Sequence, residues 1–108
     1  MQLNLLVLRC KNIEHTKVFY EKLGLTFKKE KHGKGAEHYS TYMGEMVLEL
    51  YPLKKALEIE QSRLGFSVEL EVYESMKDEV LSTYEFDGQY VLVVQDPDGR
   101  KVELVYFP

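Results

Sequence analysis

The sequence predicts an α+β fold made of two βαβββ modules. Three observations carry that prediction. The phrases "MVLELYP" and "KVELVYFP" each set one glutamate, Glu49 or Glu103, in an apolar strand, half the chain apart. The order strand–helix–strand–strand–strand runs once before Glu49 and again before Glu103, which is the mark of an internal duplication. Each module also closes on a hairpin whose turn chemistry is legible, Gly44-Glu45 in the first and "DPDG" in the second.

The elements follow in order. "LNLLVLRC" is apolar on both alternating faces, as a strand covered on both sides should be. "KNIEHTKVFYEKLGL" predicts a helix of about three turns. Asn12 is its N-cap, Ile13, Thr16, Phe19, Tyr20 and Leu23 recur at helical spacing, and Gly24 stops it. "LTFKKEKH" is a weak, polar strand running into a glycine-bearing turn. "AEHYSTYM" and "EMVLELYP" are richer in β-formers and pair across Gly44-Glu45. "LKKALEIEQS" is charged, lacks a period and serves as a linker. In the second module "RLGFSVELEV" predicts a strand with Leu64, Phe66, Val68 and Leu70 on one face. "YESMKDEVLSTY" predicts a helix resting on Met76, Val80 and Leu81. "YEFD" is a short strand, and "QYVLVVQ" and "RKVELVYF" flank "DPDG". The whole is one domain over 1–108, with modules at about 1–53 and 62–108 joined by a linker at about 54–61.

Composition narrows function by exclusion. The chain has 108 residues, 44% hydrophobic and 30% charged, the balance of a soluble globular domain. A net charge of -4 leaves no basic excess to neutralise a nucleic-acid backbone. No apolar run reaches the roughly 20 residues that cross a bilayer. The lone Cys10 cannot form an intrachain disulfide, and no leader-type segment opens the sequence, so a cytoplasmic location is expected.

A duplicated βαβββ with "FYEKLGL" in its first helix and "DPDGRKVEL" at its end resembles the vicinal oxygen chelate superfamily, the group of glyoxalase I, bleomycin-resistance proteins and extradiol dioxygenases. The resemblance covers nearly the whole chain. It implies a curled mixed β-sheet cup with the helices packed on its outer face, closed within one chain or across a homodimer. It also implies four cup-facing metal ligands, one from the first and one from the last strand of each module. The last-strand positions match Glu49 and Glu103. The first-strand positions match Leu5 and Arg63, where the family carries histidine. Leucine has no donor atom, and a guanidinium has no lone pair to give. Two carboxylates alone make a poor zinc or nickel site. No cofactor is therefore expected; if a metal binds, Glu49 and Glu103 are the candidates.

Strand alternation extends the cup face outward from those four positions. It adds Val7 and Arg9 to Leu5, Val47 and Tyr51 to Glu49, Gly65, Ser67 and Glu69 to Arg63, and Lys101 and Val105 to Glu103. Pairing across Gly44-Glu45 adds Tyr42, Ser40 and His38; pairing across "DPDG" adds Leu92 and Tyr90. The ligand-binding set so predicted is Leu5, Val7, Arg9, His38, Tyr42, Glu49, Tyr51, Arg63, Ser67, Tyr90, Leu92, Lys101 and Glu103. Leu6, Leu8, Leu48, Leu64, Phe66, Val68, Val91, Val93, Val102 and Leu104 are assigned to the core. Arg63 is expected to pair with Glu49 or Glu103, a fixed organic cation in place of the metal. His38 is either a packed strand histidine or a ligand and proton-transfer group; His15 and His32 face solvent. These residues point first to a non-metal small-molecule-binding protein of the bleomycin-resistance kind. A metal-dependent lyase, isomerase or dioxygenase using Glu49 and Glu103 with a non-family ligand such as His38 is the second reading. A ligand-free dimeric interaction protein is the third.

Overall fold

Leu5–Cys10 forms strand β1 and Met46–Pro52 forms β4, and the two run parallel, with Leu5 beside Val47, Val7 beside Glu49 and Arg9 beside Tyr51. A parallel pair needs a crossover, and helix α1, Ile13–Glu21, supplies it. The structure, a computed structural model, describes residues 1–55 and 57–108; Ala56, inside the expected linker, lies outside the described residues. The chain divides into two compact units, Met1–Glu60 and Gln61–Pro108. Each is a four-stranded mixed sheet with a helix on one face, so the α+β class with two βαβββ modules is what the chain adopts.

In the first unit the sheet order is β1-β4-β3-β2, with β2 at Lys28–Glu30 and β3 at His38–Met43. Helix α1 starts where Asn12 caps it, its side chain accepting from the backbone N–H groups of Glu14 and His15 at 3.0 and 3.2 Å. It ends before Gly24, which takes a φ of 106 that other residues avoid. Thr16, Phe19, Tyr20 and Leu23 are buried. They meet the sheet face of Leu8, Cys10, Tyr39, Leu48 and Leu50, all buried. Each fully buried leucine there contributes about 1.5–3 kcal/mol. The Gly44-Glu45 turn pairs Met43 with Met46, so Tyr42 faces Val47 and Ser40 faces Glu49, as the sequence predicts.

The second unit repeats the plan: β5 Leu64–Ser67, α2 Leu70–Ser75, a 3-10 turn Lys77–Glu79, β6 Ser82–Phe86, β7 Gln89–Gln95 and β8 Lys101–Tyr106, in sheet order β5-β8-β7-β6. Two expectations are corrected here. The strand predicted through Val72 stops at Ser67. Glu69 is the N-cap residue of α2, and Leu70 opens the helix instead of continuing the alternation. The short second helix likewise lies earlier than predicted, and Leu81 is exposed while Met76 is buried. Period-2 alternation in "LGFSVEL" overran a helix start that no strong capping residue marks.

The second correction is register. A four-residue "DPDG" loop would pair Gln95 with Arg100 and place Leu92 beside Glu103. The observed pairs are Gln95 with Lys101, Val93 with Glu103 and Leu92 with Leu104. The loop holds five residues, Asp96–Arg100. A one-residue slip exchanges the faces of a strand, so Leu92 and Tyr90 lie on the helix side and Val91 and Val93 on the Glu103 side. Leu92 and Val94 are buried with Val102 and Leu104. Tyr90 pairs with Tyr106, whose ring lies 5.7 Å from that of Tyr73 on α2.

Candidate functional site

The helix-free face of the first unit gathers Leu5, Val7 and Arg9 from β1, Val47, Glu49 and Tyr51 from β4, and His38, Ser40 and Tyr42 from β3. The edge strand β2 adds Lys28 opposite Ser40 and Glu30 opposite His38. The sequence reading left out both, because a three-residue polar strand has no apolar pattern to set its parity. A cavity of about 670 Å³ opens on this face. Its lining includes Leu5, Tyr42, Val47, Glu49, Ser40 and Glu30.

His38 is the fixed point of the site, with 1% of its surface exposed. Its Nδ1 lies 3.2 Å from the Ala36 carbonyl oxygen. A carbonyl only accepts, so Nδ1 carries the proton and Nε2 is the atom left for chemistry. Nε2 sits 3.3 Å from the Tyr51 hydroxyl and 3.5 Å from Glu49 Oε2. The His38 and Tyr51 rings stack at 4.1 Å and 9°. The Arg9 guanidinium lies over the other part of this group, 5.1 Å from the Tyr51 ring centre. Burial, and then the charge of Glu49, push the Tyr51 phenol above its ordinary pKa, so it stays a neutral donor. Ser40 Oγ donates to Glu30 Oε1, and that hydrogen bond holds the Glu30 carboxyl below the ordinary carboxylate value. His32, exposed in the turn between β2 and β3, brings its ring to 5.1 Å from that of His38.

In the second unit Glu103 is engaged at both oxygens. Arg63 Nε lies 2.6 Å from Oε2, and the Tyr84 hydroxyl donates to Oε1 at 2.6 Å. The Arg63–Glu103 contact is one the sequence reading anticipated; Tyr84 is a partner it did not. Its signal was faint: Tyr84 pairs with Val91, and only the true β7–β8 register puts that row on the Glu103 face. The hydrogen bond to Glu103, with burial second, raises the Tyr84 pKa. Lys101 and Ser67 lie on the same face, both exposed. Tyr90, predicted there, instead lines a cavity of about 220 Å³ on the helix side with Leu70, Tyr73 and Tyr106.

The four positions where the resemblance implies metal ligands therefore offer this: Leu5 has no donor atom, Arg63 is a cation pointed at Glu103, and the two glutamates have protein partners of their own. That donor chemistry does not fit a metal centre of the implied kind.

No family model matches the chain, and no curated protein does. Solved structures match over nearly its full length. A glyoxalase family protein from Enterococcus faecalis is 25% identical, with a TM-score of 0.71 and 96% of each chain covered. Lactoylglutathione lyase from Agrobacterium tumefaciens is 16% identical, with a TM-score of 0.66, covering 97% of this chain and 92% of that one. The oxidase ChaP-H2 is 14% identical, with a TM-score of 0.76, covering 100% and 94%. A lyase and an oxidase share this scaffold, so the scaffold does not choose the chemistry. What the likeness does establish is the architecture: the chain has the vicinal oxygen chelate fold of the glyoxalase-type proteins.

Proposed function

We propose that this chain is a small-molecule-binding protein of the glyoxalase/bleomycin-resistance type that works as a homodimer without the family's metal histidines. The observation that carries the reading is the cavity beside Glu49. Its volume of about 670 Å³ falls in the range of organic-ligand sites, roughly 300–1,000 Å³. Its lining mixes apolar Leu5 and Val47, aromatic Tyr42 and two carboxylates against the single Lys28. That mixture suits an amphipathic molecule carrying a cationic or strongly donating group. Exposed Leu3, Leu5 and Tyr42 on or beside the same face favour a second chain as partial cover. The enzyme reading that recruits Glu103 to a metal would have to break the Arg63 and Tyr84 contacts first.

Titration calorimetry of the chelator-treated protein with aromatic cations such as benzamidine tests the reading. Binding is expected, weakened about tenfold in Glu49→Gln, a loss of roughly 1.4 kcal/mol. Amide chemical shifts of Ser40, Tyr42 and Val47 should move with it. No heat and no shift change at those residues across a panel of aromatic amines and amidines would sink the proposal. Light scattering of the free protein reads the dimer directly.

A further inference from the structure

We propose that Glu30, His32 and His38 form a binding site for a divalent transition-metal ion of the zinc class, with the Glu49 carboxylate as fourth donor. One ligand atom from each of the three lies within 4.8 Å of the other two; Glu49 stands outside that mutually close group, 3.5 Å from His38 Nε2, and would move in to serve as the fourth donor. Two imidazoles and carboxylate oxygen are the donor set that zinc takes in three- and four-ligand protein sites. The site shares Glu49 with the last-strand position of the fold but draws its other donors from β2, β3 and the turn between them. It does not depend on an organic ligand in the cavity.

Three features give the cluster the build of a metal site. His38 is locked: its Nδ1–H is committed to the Ala36 carbonyl and its ring stacks on Tyr51. A metal-bound histidine characteristically donates its second ring N–H to such an acceptor, which fixes the tautomer and aims the other nitrogen. Nε2 already has Glu49 Oε2 at 3.5 Å, close to the separation of two ligands on one tetrahedral ion. Glu30 is oriented by Ser40, which occupies Oε1 and leaves Oε2 to coordinate. On binding, Nε2 exchanges the Tyr51 hydroxyl for the ion.

The donors must draw together to bind. On a tetrahedral ion, ligands about 2.1 Å from the metal lie about 3.4 Å apart, so donors up to 4.8 Å from one another must close by as much as roughly 1.4 Å. His32, exposed in its turn, is the member free to make that move. Two carboxylates and two neutral imidazoles balance a divalent charge. Because Glu30 and Glu49 also line the cavity, the ion would sit at the cavity's edge.

The test is titration of Zn²⁺ into tag-free, chelator-treated protein, with metal content measured after dialysis. One Zn²⁺ per chain is expected, with Kd tighter than about 0.1 mM. His32→Ala and Glu30→Gln should each weaken binding at least about tenfold. Both residues lie at the edge of the sheet or in a turn, so both variants should keep the wild-type circular dichroism. His15→Ala, an exposed histidine elsewhere, should bind as wild type. Zn²⁺ should raise the wild-type melting temperature, and that of His32→Ala by less at the same metal concentration. Binding weaker than that threshold overturns the proposal, as does a His32→Ala variant that keeps wild-type affinity.

Discussion

Asp96→Ala isolates one physical effect that runs through the second unit. Arg100 is wholly buried, with Nη1 3.0 Å from Asp96 Oδ2 and 3.4 Å from Asp98 Oδ2. Asp96 Oδ1 meanwhile accepts from the backbone N–H groups of Asp98 and Arg100 at 2.9 and 3.0 Å. Removing the carboxylate leaves a buried guanidinium short of its nearer counter-charge and withdraws an acceptor from two buried N–H groups. Breaking a buried pair from one side costs about 3–5 kcal/mol, and the lost acceptor keeps the cost toward the upper end. Against a total stability of roughly 5–15 kcal/mol that is a large fraction. With an unfolding entropy near 2.1 cal/mol/K per residue, it lowers Tm by about 13–22 °C. Asp96→Asn keeps an oxygen for the two N–H groups and loses only the charge, so it should fall between wild type and Asp96→Ala. Urea unfolding followed by circular dichroism, with calorimetry for Tm, reads both. A cost below about 1 kcal/mol for Asp96→Ala would refute the reasoning, because it would mean that water reaches Arg100 and screens it.

Two further outcomes follow from the ionisations. Tyr84 should titrate above the ordinary tyrosine value of about 10, and Glu103→Gln should bring it down, measured by NMR of the Tyr84 ring; an unmoved midpoint would mean that the hydrogen bond is not kept in solution. Glu14 accepts from the Tyr39 hydroxyl and pairs with Lys29, and the tyrosine hydrogen bond is the main cause of its lowered pKa. A depressed carboxylate contributes stability that is present above its unfolded value of about 4.3 and is lost as pH falls through the folded value. The stability of the wild type should therefore decline as acid is added below that value, and Tyr39→Phe should flatten part of the decline.

The first unit was largely legible because short turns and strong patterns agree there. Gly44-Glu45 is a two-residue loop, and a two-residue loop admits one register. Once Met43 faced Met46, the placement of Tyr42, Ser40 and His38 on the Glu49 face was determined. Asn12 and Gly24 bounded the helix in the same local way. The edge strand was not legible. Glu30 meets His38 only because the turn from Lys31 to Glu37 closes at that length, and no residue pattern in "KHGKGAE" reports where it closes. Glu30 and His32 were accordingly missed, although the types and the closeness of His32 to a second histidine in sequence were visible.

The register error around "DPDG" has a more instructive cause. Pro and Gly in favoured turn positions suit a four-residue loop, and they equally suit a turn that carries a glycine bulge. The structure takes the second form: Gly99 has a φ of 90, its N–H donates to the Asp96 carbonyl at 3.0 Å, and the Asp96 N–H donates to the Arg100 carbonyl at 2.9 Å. Inside the loop Asp96 accepts from the Arg100 backbone N–H, and the Arg100 guanidinium donates to the same carboxylate. A buried ion pair is weak support for stability as such, since its desolvation offsets most of its attraction. The register follows from the backbone instead. By adding one residue to the loop, the Gly99 bulge sets which face of β7 meets Glu103, placing Val91 and Val93 there and Leu92 on the helix side. One residue fewer in the loop would turn leucine and tyrosine toward Glu103 instead of valine. The glycine-bearing turn, only a few residues from the carboxylate in sequence, is thus what positions the surroundings of Glu103, its Tyr84 partner included.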